Sequence, residues 1–188
     1  GDRPLVVAIL GGTGAGKSSL LNRLAGTDVS AESFRRTFTA GAVALCREAG
    51  HLPEGWLALP HVTAAPQELP VRGQGGKLII VTSGDFPVVL VDTPDLDGDQ
   101  PAHHAEADRA FRWAEAVIFV VTPEKYQMTE LLGYYRLAHR YALPALFVLN
   151  KCEETAVLED YRAELARQEW EAARVFAVPR DDAAWEPP

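Results

Sequence analysis

The nine residues Gly11-Gly12-Thr13-Gly14-Ala15-Gly16-Lys17-Ser18-Ser19 constrain this chain more than any other stretch. They stand between an apolar run, Leu5-Val6-Val7-Ala8-Ile9-Leu10, and a segment of helical character at 18–25. Gly11, four further residues and then Gly16-Lys17-Ser18 have the spacing of the phosphate-binding loop that joins a strand to a helix. The residue types follow the chemistry. Glycines let the backbone take positive φ and bring several N–H groups around phosphate oxygens. The loop opens a helix, whose N-terminal N–H groups and dipole favour an anion at the same point. Lys17 is then expected to reach the β- and γ-phosphates, and the Ser18 hydroxyl to bind Mg²⁺. An ordinary glycine-rich turn is the alternative; the strand before, the helix after and the Lys-Ser pair weigh against it. Residues Gly12 through Ser19 are the expected phosphate half of a nucleotide site.

The rest of the chain supplies a scaffold for such a loop. Apolar runs recur at 5–10, 43–46, 78–82, 88–91, 117–121, 145–149 and 175–178, with helical patterns at 103–116, 129–141 and 156–173. The later strands are continuously apolar, as expected where both faces of a parallel sheet are covered. Strand–helix alternation with right-handed crossovers predicts a three-layer α/β domain with a mostly parallel sheet of about six or seven strands. The turn-rich link at 83–87 suggests a hairpin between 78–82 and 88–91, which would place one antiparallel strand in that sheet. Between 48 and 77 the pattern breaks. Pro53, Pro60, Pro66 and Pro70 exclude a long helix, and an irregular insertion is expected there.

At 188 residues the chain suits one domain, and its ends, Gly1 and Trp185-Glu186-Pro187-Pro188, read as those of a piece of a longer protein. The net charge of −8 argues against broad attraction to nucleic acid or anionic membrane. Cys46 and Cys152 have no metal-type spacing, which favours a reducing, cytoplasmic setting over a disulfide framework. No apolar run approaches the ~20 residues that cross a bilayer.

Two further motifs follow the first in order. Val88-Val89-Leu90-Val91-Asp92 is an apolar strand ending in a carboxylate, where nucleotide-hydrolysing domains place a Mg²⁺-associated aspartate. Ala145-Leu146-Phe147-Val148-Leu149 delivers Asn150-Lys151-Cys152-Glu153. A carboxylate there accepts from guanine N1–H and the exocyclic amine, which adenine does not offer in that geometry. Asn150 would steady the loop, and the Lys151 stem would lie over the ring plane.

Together these residues resemble the P-loop GTPases of the translation-factor-related class, and more closely its Era-like and dynamin-like members, including bacterial dynamin-type domains. The glycine-rich loop is similar to the dynamin form, and Asp92-Thr93-Pro94-Asp95 to the family's switch II entry. Pro123-Glu124-Lys125-Tyr126 is similar to a feature of bacterial relatives. The resemblance covers nearly the whole chain and implies a single P-loop NTPase domain over 1–188 that binds GTP or GDP with Mg²⁺. It also implies a switch I threonine on the metal: Thr39, with Thr37 as the second choice. The implied metal ligands are Ser18, Thr39 and Asp92, and the implied catalytic residues Lys17, Thr39 and Asp92. Asp95 replaces a glycine of the family, Leu96 stands where related enzymes carry a water-positioning glutamine, and Glu153 replaces the usual aspartate. Phe176-Ala177-Val178-Pro179 is the candidate for the fifth family motif. Slow hydrolysis, stimulated by a protein partner or self-association, is implied, with membrane or ribosome contact through other regions. An ATP-dependent P-loop enzyme and a non-hydrolysing nucleotide-binding module remain the alternatives.

Overall fold

The computed structural model describes residues 3–12, 14–25, 42–53, 55–65, 78–82, 87–93, 96 and 101–180. Among the described residues eight strands form one sheet: β1 (Leu5–Gly11), β2 (Val43–Cys46), β3 (His61–Ala64), β4 (Leu78–Thr82), β5 (Val88–Asp92), β6 (Ala116–Val121), β7 (Ala145–Asn150) and β8 (Arg174–Val178). Among the described residues four helices accompany them: α1 (Lys17–Ala25), α2 (Pro101–Trp113), α3 (Thr129–Arg140) and α4 (Thr155–Arg167). The strand order is β3-β4-β2-β5-β1-β6-β7-β8. All neighbouring pairs are parallel except β2 with β5.

Alternation along each strand sorts the side chains into two cores. Val6, Ala8, Leu10, Val89, Val91, Val117, Phe119, Phe147 and Leu149 pack under α2, α3 and α4. Val7, Ile9, Val43, Leu45, Leu90 and Val120 pack against Leu21 of α1. The result is a three-layer α/β domain, as the sequence pattern predicts. Aromatic side chains bind the three-helix layer to the sheet: Phe119 meets Tyr135 edge-on at 4.7 Å and stacks with Phe147 at 5.4 Å.

The sheet has eight strands rather than six or seven, and the expected hairpin does not form. β4 pairs with β2 and β3, while β2 intervenes between β4 and β5. All four residues of β2 are buried, so it is an interior strand whose backbone groups need a partner on each edge. The antiparallel junction therefore falls at β2–β5, and β2, β4 and β3 all run against the other five strands. The eighth strand, β3, lies within the stretch 48–77. It is four residues long and occupies the sheet edge, held by β4 and by the Leu78 N–H donating to the Pro60 carbonyl at 2.9 Å. Two 3-10 turns, Ala49–His51 and Trp56–Ala58, precede it.

The helix expected over 156–173 ends at Arg167. Glu169 takes φ +67°, its N–H donates to the Ala166 carbonyl at 3.0 Å, and the Trp170 N–H donates to Leu165 at 2.9 Å. This is a Schellman stop with a glutamate where glycine is usual. α3 stops the same way: Ala142 has φ +51°, and the Leu143 N–H donates to Ala138 at 2.9 Å.

Candidate functional site

The carboxyl ends of β1, β5 and β7 lie on one end of the sheet. β1 ends at Gly11 and α1 begins at Lys17, so the glycine-rich loop is the shortest path from the central strand to the helix over its face. Gly14 and Gly16 take φ of +74° and +91°. The Ala15 N–H donates back to the Gly12 carbonyl at 3.2 Å, and the Leu20 N–H to Gly16 at 2.9 Å as the helix starts. A Cβ on Gly11 would sit 2.5 Å from the Val120 carbonyl oxygen and 3.2 Å from Lys17 Cδ. The missing side chain at Gly11 therefore makes the channel along which the Lys17 stem lies. Lys17 is buried. Ser18 and Ser19 are in the first turn of α1, and Ser19 is exposed.

Asp92 closes β5 in register with Ile9 of β1 and is buried. Thr93 donates its hydroxyl to the Ile9 carbonyl at 2.7 Å, and the Leu96 N–H donates to Gly11 at 3.2 Å. These bonds bind the segment after β5 to the end of β1, beside the glycine-rich loop. The Leu96 side chain is fully buried in the core of the three-helix face, so this position offers the site a backbone and no side chain.

β7 delivers the third segment. Asn150 Nδ2 donates to the Ala15 carbonyl at 3.0 Å, and Lys151 Nζ donates to the Gly14 carbonyl at 3.0 Å. A Cβ on Gly16 would lie 2.2 Å from Asn150 Nδ2, so glycine at 16 is what admits the asparagine. Lys151 has φ +57°, which turns its stem back across the loop. The Cys152 N–H donates to Val178 at 3.0 Å, and its thiol to the Glu154 carbonyl at 3.4 Å. Cys152 is thus a packing residue, and it brings the end of β8, with the Phe176–Pro179 segment, against this turn. Glu153 is exposed at the rim.

Gly12, Gly14, Ala15, Gly16, Lys17, Ser18, Ser19, Asp92, Asn150, Lys151 and Glu153 are thus carried to the same end of the sheet or its flanking turns. Thr13, Thr37, Thr39 and Asp95 lie outside the described residues. The sequence reading assigned no role to the Thr93 hydroxyl, nor to Glu124, which faces Arg180 with Oε1 4.0 Å from Nη2. The Glu124 carboxyl is held below its ordinary range by its own backbone N–H and the Thr122 hydroxyl, with Arg180 and Lys151 adding to the effect. The likeness of Pro123-Glu124-Lys125-Tyr126 to a feature of bacterial relatives was the signal that pointed to this turn.

Among the described residues no group of three His, Cys, Asp or Glu side chains is placed to hold a metal. Mg²⁺ is held in proteins through one or two carboxylates together with substrate phosphates. A buried carboxylate at 92 and a serine at the helix start are oxygen donors of the kind it takes.

Neither a protein-family model nor a curated protein sequence matches this chain. Solved structures do. Era in complex with MgGDPNP and nucleotides 1506–1542 of 16S ribosomal RNA superposes with a TM-score of 0.58 at 18% identity, over 95% of this chain and 52% of that one. A member of an oligomerised bacterial dynamin pair, described as sensing and tethering membranes, superposes at 0.61 and 15% identity, over 93% of this chain and 33% of its own. The fold is that of the Era-like and dynamin-like P-loop GTPases. A structure from work on the chloroplast translocon components atToc33 and psToc159, whose dimerisation is important for GTPase activity, superposes at 0.51 and 17% identity, over 98% and 73%. The chain spans about half of the Era structure and a third of the dynamin one.

Proposed function

We propose that this chain binds GTP and GDP and hydrolyses GTP to GDP and phosphate as a Mg²⁺-dependent switch. One observation carries the reading. Residues 150 and 151 donate side-chain hydrogen bonds to the carbonyls of residues 15 and 14, joining a candidate base-binding turn to a candidate phosphate-binding loop. A loop that bound phosphate alone would have no use for that link.

In this reading the loop N–H groups and the α1 N-terminus hold the β-phosphate, and Lys17, rising along Gly11, meets charge that develops on the γ-phosphate. Ser18, Asp92 and Thr39 are the residues that would hold Mg²⁺, which when bound neutralises charge on the phosphate oxygens. Asn150 fixes the base turn, the Lys151 stem covers the purine, and Glu153 accepts from the guanine edge. Its extra methylene, relative to aspartate, relaxes discrimination against other purines.

The buried Leu96 favours a second reading, a nucleotide-binding module with little turnover, because no side chain at 96 is available to orient water. Slow hydrolysis raised by a protein partner or by self-association reconciles the two. Contact with a membrane or with ribosomal RNA, as in the similar structures, and a cytoplasmic setting belong to the same proposal.

Displacement of fluorescent GDP by GDP and ADP tests the base assignment; a preference for ADP overturns it. Multiple-turnover phosphate release tests the enzyme. Lys17→Ala is expected to lower the rate at least about 100-fold. Phosphate release that persists in this variant, or never occurs in the parent with or without added partners, overturns hydrolysis.

A further inference from the structure

Among the described residues β8 pairs with β7 alone and closes the sheet with one side open. The two edges of the sheet differ in character. At the far edge β3 is four residues long and includes a histidine and a threonine. β8 reads Arg174-Val175-Phe176-Ala177-Val178, apolar after its first residue. Soluble proteins blunt edge strands with charges, proline or shortness, because open N–H and C=O groups recruit another strand. Arg174 begins β8 and Pro179 follows it, and the four residues between them carry no such guard.

Backbone alternation decides which groups are open. The Val178 carbonyl accepts the Cys152 N–H at 3.0 Å, so it points to the β7 side. Successive residues of a strand direct their backbone groups to opposite sides. Arg174 and Phe176 therefore face β7 with Val178, while Val175 and Ala177 turn N–H and C=O to the open edge. The side chains add an apolar strip. Phe176 is in register with Val148, and Leu146 shares their face, the one that α1 covers farther in. Over β7 and β8 that cover is missing among the described residues, and Leu146 and Phe176 are 37% and 52% exposed. Parallel strands are ordinarily covered on both faces.

We infer that β8 pairs with β8 of a second copy of this chain, antiparallel about a two-fold axis through Phe176. The strand is self-complementary in that register. Val175 of each copy lies opposite Ala177 of the other, so the open backbone groups exchange hydrogen bonds. Phe176 meets its own counterpart at the closer, non-hydrogen-bonded position. Arg174 falls opposite Val178, so like charges do not oppose. Above the strand, α4 carries charges already paired, Glu159 with Arg162 and Glu164 with Arg167, and an approaching copy meets no field of one sign. A two-fold makes each of these contacts twice, which favours a second copy over a strand from another protein. The inference goes beyond the nucleotide reading and does not depend on it.

Sedimentation velocity without nucleotide tests it. The mass is expected to rise from one chain toward two between about 1 µM and about 200 µM protein, as for a micromolar dimer. Phe176→Glu and Phe176→Lys each set like charges directly opposite and are expected to raise the dissociation constant about tenfold or more. Mixing the two variants puts opposite charges across the axis and restores the dimer. Phe176→Cys reads the register: opposed Cβ atoms about 4.5–5.5 Å apart close a disulfide between copies under mild oxidation. Arg174→Cys does not, because its counterpart lies four residues, roughly 13 Å, along the strand. A parent that stays monomeric at the highest concentration overturns the inference and leaves the edge to a strand from another protein. A dimer that survives both charged variants, or charged variants that stay monomeric when mixed, overturns it too. Should a charged variant unfold, seen by circular dichroism, the two cysteine variants decide alone: a disulfide at 176 and none at 174 supports the pairing, and any other pattern overturns it.

Discussion

Two residues show how single atoms hold this architecture. Gly16 combines a φ of +91° with a Cβ direction that ends 2.2 Å from Asn150 Nδ2. Gly16→Ala therefore strains the loop and expels the asparagine together. It is expected to destabilise the protein by about 1–3 kcal/mol and to weaken GDP binding about tenfold or more, read from urea midpoints and a GDP titration. At the other end of β1, Glu115 accepts from both Arg3 Nη atoms at 2.7 and 2.9 Å and from the Val6 N–H at 2.9 Å. The Arg3 guanidinium, then the Val6 N–H, hold its carboxyl below the ordinary range. A lowered carboxylate pKa in the folded state stabilises above the unfolded-state value, near about 4.3, and the benefit drains away as pH falls through the folded value. The difference in urea midpoint between the parent and Glu115→Gln is expected to be full at neutral pH and to vanish in strong acid. A difference that grows on acidification contradicts the assignment.

Among elements, α3 and α4 are distinctive for their stops. Each ends in a Schellman motif whose left-handed residue is not glycine, Ala142 and Glu169. A side chain in that region costs roughly 1–2 kcal/mol, part of which glycine regains at the expense of a more disordered unfolded chain. Ala142→Gly is expected to stabilise by about 0.5–1 kcal/mol, visible as a higher melting temperature with unchanged nucleotide affinity. Between these helices Tyr135 and Tyr161 share a buried hydroxyl–hydroxyl bond of 3.0 Å, and burial pushes both phenols well above their ordinary range. The pair is neutral, and it links α3 to α4.

For the molecule as a whole, the stretch before β3 is built into the core. Trp56 is 1% exposed and packs in the same cluster as β1, β5 and α2. Trp56→Ala is expected to cost about 3–5 kcal/mol in a single cooperative transition, followed by fluorescence and circular dichroism together. A separate early transition would mean that this region folds as an appendage. Trp56→Phe costs less, since the indole N–H has no hydrogen-bond partner among the described residues.

The sequence alone determined the seven apolar strands, the layer architecture and the order of three motifs. Those features are local: glycine spacing, apolar runs, and a carboxylate or amide at a strand end. Only the tertiary structure decided that β2 separates β4 from β5, because a buried strand is paired by partners more than thirty residues distant. The four-residue β3 is likewise an edge strand made by its neighbour rather than by its own weak pattern. The helix stops at Ala142 and Glu169 carried no glycine to announce them. The last decision concerns the glycine-rich loop itself. Its spacing suggested a phosphate site, and the contacts of Asn150 and Lys151 with Ala15 and Gly14 tied it to the turn after β7, since hydrogen bonds between residues 135 and 137 positions apart follow from the fold and from no local pattern.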